Sequence, residues 1–453
     1  MTSDPRQNAL DALNMLDQGR FHLDHIIQEL FGNNARPMIH RDRALFNTLV
    51  FGVTRWRKRL DWIISHHSNV PVKKIRPEVQ NILRLGLFQI FFLDRIPASA
   101  AVNTAVNMTK KIAAVWTVRF VNGLLRNAIR KTDDIKFPMA ENNPVAALAV
   151  SRSFPEWLVK RWLDRFGFEE TCALCDAVND IPPLTIRTNT LKIDREKLAK
   201  LLASEAGSIE PTGVAPDGLR LGALNTPIDR MQAFKNGLFQ IQDEAAQLIS
   251  LLLHPCPGEA VLDACAGFGG KTAHMAQIMN NSGQITAVDR DQKKLTRLAD
   301  DMKRMGIAGV SCRTGDLEAP AALAGGGLFD RILLDAPCSG LGVIRRNPDI
   351  KWDPSRQDLQ RFALRQAALF HHVSQYLKPA GRMVYSVCSM EPEENEAVVS
   401  TFMNGHPEFK IVKNAAYLPD HARSLMDERG FFRSLPHRHA MDGFFAVCME
   451  KQT

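Results

Sequence analysis

The stretch VLDACAGFGGKT (residues 261–272) decides how the C-terminal half of this chain reads. An apolar run leads into a turn holding Gly267, Gly269 and Gly270, and a helical pattern opens at Lys271. Glycine lets a backbone pass close to a ligand, and the unpaired N–H groups at a helix start attract an anion. The turn matches neither the Walker pattern nor G-x-G-x-x-G, and glycine-rich turns also serve as plain strand-to-helix connections. Further along, strand-like runs alternate with helical ones: QITAVD, then LTRLADDMKRMG, VSCRTGD, FDRILLDAP and GRMVYSVCS. That alternation predicts an α/β domain over residues 236–451 built on a Rossmann-like, doubly wound parallel sheet. FKIV and DGFFAVCME read as a closing hairpin.

Acids recur at the predicted strand ends. Asp289 closes the second strand, 19 positions after Gly270, Asp316 the third and Asp335 the fourth. In an open α/β sheet these ends face one crevice, and an acid after the second strand can accept hydrogen bonds from ribose hydroxyls. Any one of them can be a helix cap; three in succession imply a nucleoside-containing cofactor. Two thiols share the same rim: Cys338 follows Asp335, Ala336 and Pro337, and Cys388 follows Val387. Neighbouring strands lie about 5 Å apart, so both thiols can reach one bound group. A buried cysteine is commonly inert, and spacing does not rank the two.

Upstream, residues 5–135 carry apolar residues at helical spacing in ALDALNMLDQG, LDHIIQEL, ALFNTLVFGVTRW and EVQNILRLGLFQIFFL, predicting an all-α bundle. Basic residues recur between them (Arg55, Arg57, Lys58, Arg59, Lys73, Lys74, Arg76, Lys110, Lys111, Arg126, Arg130 and Lys131) and suit either a phosphate-tracking face or a solvated surface. DDIKFPMAENNP reads as a linker, and residues 145–235 as a small α+β linker module. At 453 residues, with 45% apolar and 23% charged composition, the chain has material for several cores. Its 57 Lys plus Arg against 49 Asp plus Glu give a net charge of +8, which suits a polyanionic partner. Eight irregularly spaced cysteines argue against a disulfide framework, and the polar start and lack of a long apolar run predict a cytosolic protein without a membrane span. Cys172 and Cys175 form a lone C-x-x-C on a probable helix, so no metal is expected.

The motifs DACAGFGGKT, AVDRD, LLDAPCSGLGVIRRNPDIKW and YSVCSMEPEENE strongly resemble those of RNA cytosine-5 methyltransferases of the Nop/Sun group. DRALFNTLVFGVTRW, LRLGLFQIFFLDRIPASAAVN and RFVNGLLRNAIRK are similar to the NusB-like RNA-binding domain of the bacterial RsmB (Sun, Fmu) members, so the resemblance covers nearly the whole chain. It implies a class I methyltransferase domain, S-adenosyl-L-methionine as cofactor and 16S ribosomal RNA as partner, with no obligate protein partner evident. By the same resemblance, the turn of Cys265, Ala266, Gly267, Phe268, Gly269, Gly270 and Lys271 holds the methionine part of the cofactor, Asp289 the ribose and Asp316 the adenine edge. Asp335 sits between cofactor and base. The resemblance also ranks the thiols: Cys388 is the nucleophile and Cys338 helps release the product. Cytosine chemistry requires such a thiol, because C5 attacks a methyl sulfonium only after addition at C6 has turned the ring into an enamine-like nucleophile. A DNA methyltransferase would use Cys338 instead, and a silent RNA chaperone neither.

Gln242 and Asp243 resemble a motif beside the cofactor pocket, although Asp243 also fits a helix cap. The chain departs from the family at Gly267 and Phe268, where Ala-Pro is usual, and at Val387, where Thr is usual; cofactor affinity and thiol activation are the properties these touch. Arg345, Arg346, Lys351 and Trp352 offer cations and an aromatic for phosphate contact and base stacking, with a buried Trp352 as the alternative. His437, Arg438 and His439 would line the same groove.

Overall fold

The computed structural model describes residues 4–19, 22–31, 38–319, 323, 327–414 and 416–453. The chain divides into two units: Met1–Asp180 with Arg346–Asp353, and Ile181–Arg345 with Pro354–Thr453.

The first unit is helical. Pro5–Asp17, Leu23–Phe31, His40–Arg55, Arg57–His67, Pro77–Phe92, Ala98–Ile112 and Val115–Arg130 are helices around a core that includes Phe46, Leu49, Val53, Leu60, Ile82, Leu85, Val121 and Leu125. Proline begins two of them, where its missing N–H costs nothing, and Asp4 caps the first by accepting from the Arg6 N–H. Gly52 is fixed by packing: a Cβ there would stand 2.0 Å from the Phe88 ring. A minority of the predicted basic face is used internally. Arg55 is buried, Arg57 pairs with Asp17 at 3.0 Å and Lys58 with Glu156 at 2.9 Å. Lys73, Lys74, Arg76, Lys110, Lys111, Arg126, Arg130 and Lys131 are exposed.

Residues 346–353 also belong to this unit, and the burial of Lys351 within it corrects the expectation that this cation meets RNA. Lys351 is 2% exposed, and its ammonium donates to Arg55 O at 3.0 Å, Ser153 O at 2.9 Å and Asn179 Oδ1 at 3.0 Å. Three donors meet three acceptors, so nothing remains for a phosphate. Burial, and then Arg55, push the ammonium's pKa well below its ordinary value. The Trp352 Nε1–H donates to Thr54 O at 2.6 Å. Replacing Lys351 with methionine should strand those acceptors and destabilise the unit by about 3 kcal/mol, read as a lowered first transition in chemical denaturation of the full chain.

The second unit holds two sheets. Strands β1 (Leu184–Thr188), β2 (Ile209–Pro211), β3 (Gly218–Leu221) and β4 (Phe239–Ile241) form an antiparallel sheet in the order β2-β3-β1-β4. The larger sheet contains β5 (Ala260–Ala264), β6 (Gln284–Asp289), β7 (Val310–Thr314), β8 (Phe329–Asp335), β9 (Leu377–Val387), β10 (Phe409–Ile411), β11 (Phe431–Ser434) and β12 (Phe444–Lys451). Its order is β10-β12-β9-β8-β5-β6-β7, with β11 also on β12. The five strands β5 to β9 pair in parallel, as expected from their alternation with helices. The two segments expected to form a closing hairpin, β10 and β12, pair antiparallel but are not consecutive, since β11 lies between them in sequence; β12 is inserted antiparallel beside β9, so the sheet is mixed. Strand order reverses across β5, with β6 on one side and β8 on the other, and ligands of such sheets bind above that point.

Arg187 on β1 joins the two sheets. It is fully buried and donates to Gln277 Oε1 at 2.8 Å, Gly270 O at 2.8 Å, Gln240 Oε1 at 3.2 Å and Gln242 Oε1. Burial brings its pKa down to about 9. The antiparallel sheet thereby grips the first turn of helix Gly270–Ile278, just past the glycine turn.

Candidate active site

The chain leaves β5 through a left-handed path: Cys265, Gly267 and Gly269 take φ of 65°, 57° and 80°. For Cys265 that conformation is strained, as is common where a backbone cradles a ligand. Gly269 packs tightly, since a Cβ there would meet Leu298 Cγ at 2.4 Å, whereas one on Gly267 would meet nothing within 4 Å. The space over Gly267 is therefore open to an approaching group. Phe268 does not fill it: the ring is 52% exposed and lies 5.7 Å from Lys294 Nζ and 5.8 Å from Arg297 Cζ. The bulk that replaces proline in this turn is directed at these cations. Phe268→Ala should accordingly change cofactor affinity by less than about threefold, under 1 kcal/mol, in isothermal titration.

Asp289 shapes the turn, with Oδ2 accepting from the Gly267 N–H at 2.9 Å and Oδ1 from the Asp291 N–H at 2.9 Å. Asp263, 1% exposed, accepts from the Thr272 hydroxyl at 2.5 Å, and burial pushes its pKa up to about 7. Asp335 ends β8. Its Oδ2 pairs with Lys271 Nζ at 2.6 Å, and its Oδ1 accepts from the Ser386 hydroxyl at 2.8 Å. Burial opposes the Lys271 charge, but Asp335 outweighs it and raises the ammonium's pKa. Asp316 is exposed and lies two residues beyond β7, which ends at Thr314; its Oδ1 accepts from the Glu318 N–H at 3.0 Å.

The two thiols meet. Cys338 Sγ and Cys388 Sγ are 3.2 Å apart, on the segments that leave the neighbouring ends of β8 and β9. The hydrogen bond to Cys388, then burial, push the Cys338 thiol well above its ordinary pKa, so Cys338 holds its proton. Ser339 and Ser389, each following a thiol, both donate to Glu394, which is 0% exposed. In the sequence Glu394 has no role of its own beyond its place in the motif YSVCSMEPEENE; a serine after each cysteine was the available signal.

Of the two readings for Gln242 and Asp243, the helix cap at Asp243 is present. Asp243 caps helix Glu244–Leu253, accepting from the Ala245 N–H, and the Gln242 amide lies 3.7 Å from the position of a Cβ on Gly270. Arg345, expected to face RNA, is buried between Asp442 at 2.6 Å and Asp243 at 3.3 Å. His439 Nδ1 accepts from the Leu435 N–H, a local cap, while Arg438 is exposed. Cys172 and Cys175 lie on helix Phe168–Asn179, where burial raises the Cys175 thiol to about 12.

Sequence comparisons cover nearly the whole chain. Residues 250–450 match the family described as 16S rRNA methyltransferase RsmB/F, residues 3–130 the NusB family, and residues 154–227 the ferredoxin-like domain of RsmF/B-like methyltransferases. The probable ribosomal RNA small subunit methyltransferase B of Bacillus subtilis is 36% identical, over 99% of this chain and 98% of that one. The ribosomal RNA small subunit methyltransferase B of Pseudomonas putida is 35% identical, over 86% of this chain and 88% of its own. The crystal structure of PH0851 superposes with a TM-score of 0.81 at 26% identity, covering all of both chains.

Proposed function

Because this chain belongs to the RsmB/F family of 16S rRNA methyltransferases, we propose that it methylates C5 of one cytosine in 16S ribosomal RNA, through a transient bond between Cys388 and C6 of that base. One observation carries the cytosine-5 reading: two thiols 3.2 Å apart at the sheet rim, with the strand-end carboxylate of Asp335 on the same segment as one of them. A pair of this kind has a use where one thiol must add to a ring and a second group must assist its departure.

S-adenosyl-L-methionine, the family's methyl donor, supplies an electrophilic methyl group. The residues fit it: the open space over Gly267, the left-handed turn from Cys265 through Gly269 and the start of helix Gly270–Ile278 make an anion-tolerant cradle. Cys265 to Lys271, Asp289, Asp316 and Asp335 are the residues that would hold it. The Cys388 sulfur adds to C6 and the ring electrons move towards N3. The Asp335–Lys271 pair, net neutral and carrying a proton, meets the charge developing there. C5 then takes the methyl. Transfer of the C5 proton to water returns electrons to the ring and expels the Cys388 sulfur, with the Cys338 thiol beside it to reprotonate the departing thiolate.

No described helix is long and apolar enough to cross a membrane, and the cytoplasm, where the small subunit assembles, is the place of action on this reading. Bisulfite sequencing of ribosomal RNA from cells with and without the gene tests it. One 16S cytosine should resist conversion only when the gene is present; identical maps would refute the reading. The exposed cations of the first unit support RNA binding. The logarithm of the binding constant should therefore fall linearly with that of salt concentration, with a slope of about −0.7 or steeper for each phosphate neutralised. A flat filter-binding titration would remove the cationic face from the account.

A further inference from the structure

We propose that Glu394 is the positioning residue that holds the two thiols at working distance, through a hydrogen-bonded tie between the segments that carry them. The inference rests on the reading of Cys388 and Cys338 as the working pair.

The sheet does not fix their separation. The β8–β9 register ends at Asp335 against Ser386, and the last bond between these strands runs from the Ala336 N–H to Ser386 O at 2.9 Å. Both thiols lie beyond it, in irregular segments whose backbones meet again where the Gly342 N–H donates to Cys388 O at 3.0 Å. Glu394 bridges the two segments. Its Oε1 accepts from the Ser339 N–H at 2.8 Å and from Gln366 Nε2 at 3.0 Å; its Oε2 accepts from the Ser339 and Ser389 hydroxyls, each at 2.5 Å. One carboxylate thus grips the residue after each cysteine. The geometry is anchored behind as well, because the Tyr385 hydroxyl donates to Glu394 O at 2.6 Å and Gln366 Nε2 also reaches Pro337 O at 3.1 Å. Ser339 and Ser389 are fully buried, so water does not substitute for the carboxylate.

All four donors are neutral, so the carboxylate is not held by a countercharge; burial raises its pKa and the four hydrogen bonds partly offset this. A packing role would need bulk in this place. A tie needs acceptors, which predicts an order among variants. In Glu394→Gln the amide oxygen can keep the two obligate donors, Ser339 N–H and Gln366 Nε2, while the serine hydroxyls turn to accept from the new NH2 group. In Glu394→Leu, of similar bulk, both segments lose the tie.

Disulfide trapping reads the thiol separation without methylation. The sulfurs need to approach by only about 1 Å to reach a disulfide bond of roughly 2.05 Å. Diamide accepts the two electrons and two protons that the thiols release. With the full chain, Cys338–Cys388 linkage is followed by peptide mapping under non-reducing conditions, beside cofactor binding and thermal unfolding. Linkage should slow about tenfold in Glu394→Leu and by a smaller factor in Glu394→Gln, the difference expected when hydrogen bonds worth about 1.4 kcal/mol are lost. Ser389→Ala removes one strand of the tie and should slow linkage even if Glu394→Leu does not fold. Linkage at the wild-type rate in a folded Glu394→Leu or in Ser389→Ala overturns the proposal. In methyl transfer, Glu394→Leu should lower kcat by about 10²-fold with RNA KM unchanged, since about 1 Å of misplacement has that cost; a rise in KM with kcat intact also overturns it. If Cys388 is not the nucleophile, the trapping series keeps its order while kcat stays at the wild-type value, so the two failures are distinguishable.

Discussion

Replacing Cys388 with serine should reduce methyl transfer to 16S RNA by about 10⁴-fold or more, the scale on which loss of a covalent nucleophile is felt. A serine hydroxyl is several pKa units less acidic than a thiol and a far weaker nucleophile at neutral pH, so addition at C6 fails and C5 remains inert. The substitution is nearly isosteric and Cys388 is only half-buried, so folding should survive. The cofactor cradle lies on the β5 and β6 ends, and its affinity should be unchanged in titration. Incorporation of labelled methyl groups into 16S RNA from cells lacking the gene is the measurement. Turnover within tenfold of the wild type would remove Cys388 as nucleophile.

Much of this site was legible because its residues follow from local rules. The β5 to β9 strands announce themselves by alternation with amphipathic helices, and strand-end placement then puts Asp289, Asp335, Cys338 and Cys388 on one rim. What stayed illegible depends on partners far away in sequence. Lys351 and Arg345 read as cations for phosphate contact in a polar loop. They are buried because acceptors arrive from positions as remote as Arg55 and Asn179 for the first, and Asp243 and Asp442 for the second. Glu394 hides in an acidic run for the same reason, its use being defined by serines on two other segments. The insertion of β12 beside β9 is likewise a tertiary choice, since an apolar strand near a C-terminus does not specify its neighbour or direction. Phe268 shows the converse: its position in the glycine turn suggests interference with the cofactor, whereas its side chain finds Lys294 and Arg297.

Replacing Cys338 with serine should have the opposite signature to the Cys388 change: loss of turnover with accumulation of a stable protein–RNA adduct. Addition needs only the Cys388 sulfur, so the first bond still forms. Release asks more, because the C6–S bond breaks readily only if the departing thiolate is met by a proton. Cys338 is the group placed to deliver it, 3.2 Å away and holding its proton through that hydrogen bond and through burial. A serine hydroxyl keeps a hydrogen bond but is several pKa units less acidic, and so a poorer donor. The adduct should survive denaturing electrophoresis as a slow band that carries labelled RNA and disappears on ribonuclease treatment. The double variant with Cys388→Ser should show no band, which separates a bond to Cys388 from nonspecific trapping. If Cys338→Ser gave no adduct while Cys388→Ser did, the two roles would be exchanged, and the chemistry would be that of enzymes that attack through the thiol following proline. The contrast does not depend on which cytosine is modified, because both variants present the same RNA to the same rim, and only the order of bond making and bond breaking differs between them.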